Sequence, residues 1–177
     1  MTTQASDAIA YLGETFQIAE AAGTGLFDPS THGLRPVMSS TACYRGFVCR
    51  YAVEASRLTL DGLLANHSSD GPPVASRYAS GPAINGIASK QTDPRSWERL
   101  FNSCYEGLAL PLQFTGAMLV GKDYSPSVPV RMGYTPAWKY LQVYELAFVS
   151  GTLTAVRDIS EIMASVRDKL AASMDAN

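Results

Sequence analysis

Charge, histidine and cysteine are all scarce in this chain. Only 17% of its 177 residues are charged, and the formal net charge is −2. No run of Lys or Arg occurs, so the electrostatic footprint of nucleic-acid binding is missing. The basic amphipathic stretch of a membrane-surface helix is missing too. The two histidines, His32 and His67, fall in polar loops, and Cys43, Cys49 and Cys104 form no CxxC pair. These residues do not make up the tetrahedral soft-ligand set of a zinc site, so neither a metal nor a cofactor is expected. If one strand held both Cys43 and Cys49, they would stand ~20 Å apart, too far for a disulfide. Free, buried thiols are expected. No apolar run approaches the ~18 residues of a membrane span. The opening "MTTQASDAIAYLGETF" lacks a positive n-region, and Gly13-Glu14 interrupts its apolar run. It does not read as a secretory signal, and the expected compartment is the cytoplasm.

Signatures of catalysis are equally thin. There is no G-x-S-x-G elbow. "GTGLFD" at Gly23–Asp28 lacks the P-loop lysine, and "GPAING" at Gly81–Gly86 opens no helix. Asp61 and Asp123 read as turn residues. No catalytic residue is assigned.

What the sequence does contain is strand alternation. "AIAYLGETFQIA" (8–19) reads as a hairpin turning at Gly13-Glu14, and "VYELAFVSGTLTAV" (143–156) as one turning at Ser150-Gly151. In "RGFVCRYAV" (45–53), Phe47, Cys49, Tyr51 and Val53 share a face, while Arg45 and Arg50 fall on opposite faces. "RLTLDGLLA" returns with Leu58, Leu60 and Leu63 inward. "LQFTGAMLVGK" (112–122) is a further strand, where Gly116 marks a bulge or a close backbone approach. An internal helix is expected in "DPRSWERLFNSCYEGL", with Asp93 as N-cap and Pro94 in the first turn. A C-terminal helix is expected over 158–174, with Ile159, Ile162, Met163, Val166 and Leu170 as its apolar stripe. Residues 22–42 and 66–92 read as long loops. The sum is a single domain over 1–177, mainly β with an α+β character. Its antiparallel sheet is a half-barrel or a sandwich of hairpins, carrying those two helices.

"DAIAYLGETFQIA", "STACYRGFVCRYAVEASRLTLDGLLA", "LPLQFTGAMLVGKD" and "VRMGYTPAWKYLQVYELAFVSGTLTAVRDIS" together resemble a group of small, uncharacterised bacterial β-rich proteins. These have an Arg-Gly-aromatic strand start, a His-Met-Gly-Tyr-like turn and a final hairpin. Arg131 stands here in place of the turn's His. The resemblance implies a β-rich fold and carries no established activity.

Two features point to recognition. Tyr134, Trp138, Tyr140 and Tyr144 crowd a segment that Pro136 keeps from being a regular central strand. Tyr, Trp and Arg are the anchor residues of interfaces, and loops carry function more often than strands. The candidate contact residues for a partner or ligand are Arg45, Asp123, Arg131, Tyr134, Trp138, Lys139 and Tyr140. Glu145 either faces solvent or, on a buried face, needs a cation from Arg131, Arg45 or Arg50; Arg131–Glu145 is the expected structural ion pair. Two function classes fit. One is a non-catalytic intracellular binding protein of the immunity or antitoxin type, which binds and blocks a bacterial toxin. The other is a small-molecule protein or enzyme holding an anion in a pocket lined by Tyr51, Phe114, Tyr134 and Trp138. A homodimer joined by an exposed strand or the C-terminal helix is a third possibility.

Overall fold

A computed structural model describes residues 3–69, 80–92, 95–128 and 132–175. Eight strands follow in chain order: β1 Ala8–Tyr11, β2 Glu14–Thr24, β3 Phe47–Glu54, β4 Arg57–Ala65, β5 Ser103–Pro111, β6 Thr115–Tyr124, β7 Tyr140–Val149 and β8 Thr152–Asp158. The helix α1, Ser160–Asp175, closes the described chain. The sheet order is β3-β1-β2-β6-β7-β8-β4-β5, with β3 also pairing β4. Every pairing is antiparallel except β1 on β3. Because β8 meets β4 at Arg57↔Thr152, the ladder returns on itself. The expected half-barrel is thus drawn shut at one narrow seam, while β5 occupies the rest of that edge of β4.

The hairpins form where a left-handed turn is available. Leu12-Gly13 (φ 51° and 77°) and Ser150-Gly151 (φ 47° and 76°) both take the doubly positive φ that matches strand twist. The first turn lies one residue earlier than Gly13-Glu14. The inward faces bury Ile9, Phe16, Tyr51, Leu60, Phe114 and Phe148 in one core. Gly23 faces Gly116 across β2 and β6. A methyl group at Gly116 would stand 2.1 Å from the Ala22 carbonyl oxygen, so close backbone approach is the reason for that glycine.

The internal helix is not formed. Ser96 caps a single 3-10 turn, Trp97–Leu100, and the chain then enters β5. Consecutive burial explains the difference. Tyr105 enters the main core and Cys104 joins Cys43, Val48, Leu64 and Phe101 in a second cluster, so both faces of the segment are used. Only a strand paired to β4 does that. Asp93 and Pro94 lie outside the described residues. Of the expected loop 66–92, residues 70–79 lie outside as well, and its far end is docked: Lys90 exchanges backbone hydrogen bonds with Cys104.

The helix α1 agrees with the expected span to within its ends. Asp158 accepts the Ser160 amide at 2.9 Å and its hydroxyl at 2.6 Å, and these bonds hold the Asp158 carboxyl below its usual range. Its buried face differs from the expected stripe. Ile159 and Met163 pack on Val143 and Tyr140, but Ile162 is 53% exposed. Arg167 takes the inward position instead, donating to the carbonyls of Trp138 at 2.6 Å and Tyr140 at 2.9 Å. No helix among the described residues is long and apolar enough to cross a membrane.

Glycine substitutions separate turn conformation from close packing. Gly13 has open space around it, so Gly13→Ala is expected to cost about 1 kcal/mol. Gly116→Ala adds a backbone clash to its unfavourable φ and is expected to cost more than about 3 kcal/mol. Urea unfolding reads both; equal losses would show that the β2–β6 approach is not tight.

Candidate functional site

The segment before β1 is tied down residue by residue. The Gln4 amide donates to the Gly133 carbonyl at 2.9 Å and the Ala5 amide to that of Ala42 at 2.7 Å. The Gln4 side chain donates to the Thr41 carbonyl at 2.9 Å and accepts the Tyr44 amide at 3.0 Å. Three segments distant in sequence therefore converge on one short stretch: residues 3–7, 41–47 and 132–134.

Arg45 and Asp7 form the centre. Arg45 Nη1 donates to Asp7 Oδ2 at 2.9 Å, Nη2 donates to Oδ1, and Nε donates to the Phe47 carbonyl at 2.8 Å. Asp7 Oδ1 also accepts the Cys49 amide at 2.6 Å. The guanidinium lies 4.5 Å from the Phe47 ring centre and 6.0 Å from that of Tyr134. Burial works against the charge, but the Asp7 carboxylate outweighs it, and Arg45 is held more firmly protonated than usual. Fork-to-carboxylate pairs of this kind are geometrically specific as well as strong.

Two shallow clefts flank Arg45. One, of about 290 Å³, is bounded by Asp7, Ile18, Glu20, Leu26 and Tyr134. The other, of about 390 Å³, is bounded by Phe27, Asp28, Pro29, Pro36 and Phe47. Around them stand exposed rings and a thioether: Tyr44 is 62% exposed, Tyr134 46% and Met132 63%.

Of the expected contact residues, the structure brings together Arg45 and Tyr134. Arg131 lies outside the described residues. Asp123 is exposed at positive φ near the end of β6 and makes no bond to this group. Lys139 is buried, with its ammonium on the Val128 carbonyl and 5.6 Å from the Tyr124 ring centre. Tyr140 is buried edge-on to Tyr124, and half-buried Trp138 offers its carbonyl to Arg167. The Lys139 and Tyr140 side chains and the Trp138 carbonyl fasten the start of β7.

Glu145 pairs with Arg157 at 2.8 Å, directly across the β7–β8 ladder. The expected Arg131–Glu145 pair involves Arg131, which lies outside the described residues. Arg45 is engaged by Asp7, and Arg50 points to Glu106 at 4.0 Å. The four residues of the expected interior pocket do not share a cavity: Tyr51 and Phe114 are 3% and 0% exposed within the filled core, and Tyr134 stands outside it.

Asp7 and Arg167 are the residues that sequence reasoning missed. Arg45 carried a signal, because its parity demanded an explanation, but nothing in the spacing tied it to a carboxylate 38 positions earlier. Arg167 sits within an apolar stripe whose period gave no reason to turn it inward.

Comparison with protein-family models, curated proteins and solved structures finds no match to this chain. No relative's activity therefore bears on the site, and its chemistry must be taken from its own groups. All three thiols are buried and unpaired, and burial pushes those of Cys49 and Cys104 up, away from thiolate chemistry. His32 stacks on Phe27 with ring centres 4.9 Å apart, and His67 Nδ1 accepts the Arg35 amide at 3.0 Å. What converges around Arg45 is suited to recognition: a fixed cation with spare N–H groups, flanking aromatics, and two shallow recesses.

A double-mutant cycle over Arg45 and Asp7 is expected to give a coupling of about 1.5–3 kcal/mol. The same cycle over the more exposed Glu145–Arg157 pair is expected to give under about 1 kcal/mol. Equal couplings would remove Arg45–Asp7 from its central place.

Alkaline pH tests the burial of the remaining groups. Burial raises the Cys49, Cys104, Tyr51, Tyr105 and Tyr140 side chains, Tyr140 to about 12, from ordinary values of 9.0 for the thiols and 10.0 for the phenols. Between these ranges the unfolded chain has released protons that the folded chain retains, so stability must fall as pH rises. The urea midpoint is expected to decline from about pH 9 upward, less steeply in Tyr140→Phe. A midpoint constant to pH ~11 would contradict the burial of these groups.

Proposed function

We propose that the protein is a non-catalytic binding protein that covers a protein partner with the surface around Arg45. The partner class we propose is a bacterial toxin, which the protein blocks as an immunity or antitoxin protein does. One observation carries the binding reading: Tyr44, Met132 and Tyr134 are exposed, yet their backbones are fastened to the Arg45–Asp7 pair through Gln4 and Gly133. Exposed aromatics that are already held in place lose little freedom on docking, which is what makes them effective anchors. The toxin as partner is supported by analogy alone: a small β-rich bacterial-type chain of low charge that carries no catalytic motif. Such a role requires the cytoplasm of the cell that makes the toxin.

The test pairs the chain with the product of the gene beside it. Co-purification and protection of cells expressing that product are expected. Tyr44→Ala and Tyr134→Ala should each weaken the complex by about tenfold or more while leaving the melting temperature unchanged. A protein that binds no neighbour and fails to protect would overturn the toxin reading. Full affinity in both alanine variants would overturn the surface.

A further inference from the structure

A further recess lies elsewhere. A cleft of about 520 Å³ opens between Met38 and Ser39 on one side and Arg99, Leu100 and Asn102 on the other. Both walls are held from behind. The Asn66 side chain donates to the carbonyls of Val37 at 3.3 Å and Met38 at 3.2 Å. Asn102 exchanges bonds with the His67 backbone, donating at 2.7 Å and accepting at 2.9 Å. Phe101 anchors the second wall in the cluster of Cys43, Val48, Leu64 and Cys104.

Two polar side chains of this cleft have no protein partner among the described residues. The Arg99 side chain makes no hydrogen bond or ion pair among the described residues, while its amide donates to the Ser96 carbonyl at 3.3 Å. Ser39 Oγ is shielded from solvent with no partner, the one such side-chain atom among the described residues. Native structures rarely leave a buried hydroxyl orphaned without a reason. Beside these groups stand two apolar side chains, Met38 at 56% exposure and Leu100 at 37%. The volume falls within the range of small-molecule sites, and the lining is mixed, with Ser39, Asn66, Arg99 and Asn102 beside Met38, Leu100 and Phe101.

We propose that this cleft binds a small organic carboxylate with an apolar body. The carboxylate pairs with the planar fork of Arg99, the geometry that guanidinium matches best. The apolar body lies between Met38 and Leu100. One χ1 rotation brings the Ser39 hydroxyl to the ligand as a donor. A single guanidinium balances a single negative charge, which favours a monocarboxylate over a phosphate dianion. The site differs from the partner surface, since Arg99 shares no hydrogen bond, ion pair or ring interaction with Arg45, Tyr44 or Tyr134 among the described residues, so either can fail without the other.

The experiment is an amide-shift titration of the full chain with benzoate, against acetate and inorganic phosphate. Benzoate is expected to shift Ser39, Arg99 and Leu100 saturably, and acetate and phosphate to bind about tenfold more weakly or worse. Arg99→Gln should weaken benzoate about tenfold or more, and Ser39→Ala by a few-fold. Arg99 is exposed and unpaired, so an unchanged melting temperature will confirm that the variant is folded. No saturable shift, equal affinity in Arg99→Gln, or equal binding of phosphate and benzoate would each overturn the proposal.

Discussion

The hydrogen bond from the Cys49 amide to Asp7 Oδ1 fixes how the barrel begins. β1 lies parallel to β3, and a parallel neighbour cannot be set by a tight turn. Its register must come from elsewhere. Asp7 supplies it one step before the ladder starts at Ala8↔Arg50, and Arg45 clamps the same carboxylate from the loop that leads into β3. With β1 placed, the β1–β2 hairpin carries the order onward to β6, β7 and β8, and β8 returns to β4 at the seam. The one parallel pairing between strands among the described residues is thus held by an ion pair and a side-chain-to-amide bond, and the other strand pairings are antiparallel.

The same pair organises the surface. Asp7 ends the segment that Gln4 and Ala5 fasten to residues 41–44 and 133, so the exposed rings of Tyr44 and Tyr134 share a frame with the start of the sheet. The barrel interior is filled by Phe16, Tyr51, Phe114 and Phe148, so the proposed recognition falls to the outside. Outer recesses sit where loops meet, beside Arg45 and beside Arg99.

Much of the strand pattern was legible because it is local. Leu58, Leu60 and Leu63 announce an inward face by alternation, and Ser150-Gly151 announces its own turn. The helix expected after Asp93 was misjudged because Trp97, Leu100, Phe101 and Cys104 fit a helical period, which a 3-10 turn followed by a doubly buried strand also produces. The site was legible only in part. Arg45 was flagged by its parity, and Tyr134 by its place in a Pro-interrupted loop. Asp7 was not, because its partners come from a pairing that no short-range pattern encodes. Lys139 looked like a surface cation, yet its stem and ammonium are buried to hold Val128. Glu145 found its cation in Arg157, which the β7–β8 register sets opposite it.

Native-state hydrogen exchange in Asp7→Asn tests the central claim most directly, because it reads each amide of the frame separately. If the Arg45–Asp7 pair holds both the β1–β3 register and the proposed recognition surface, the amides of Gln4, Ala5, Tyr44 and Cys49 will exchange at least about tenfold faster in the variant, while those of β6 and β7 keep their protection. Unchanged protection at those four amides would contradict the account.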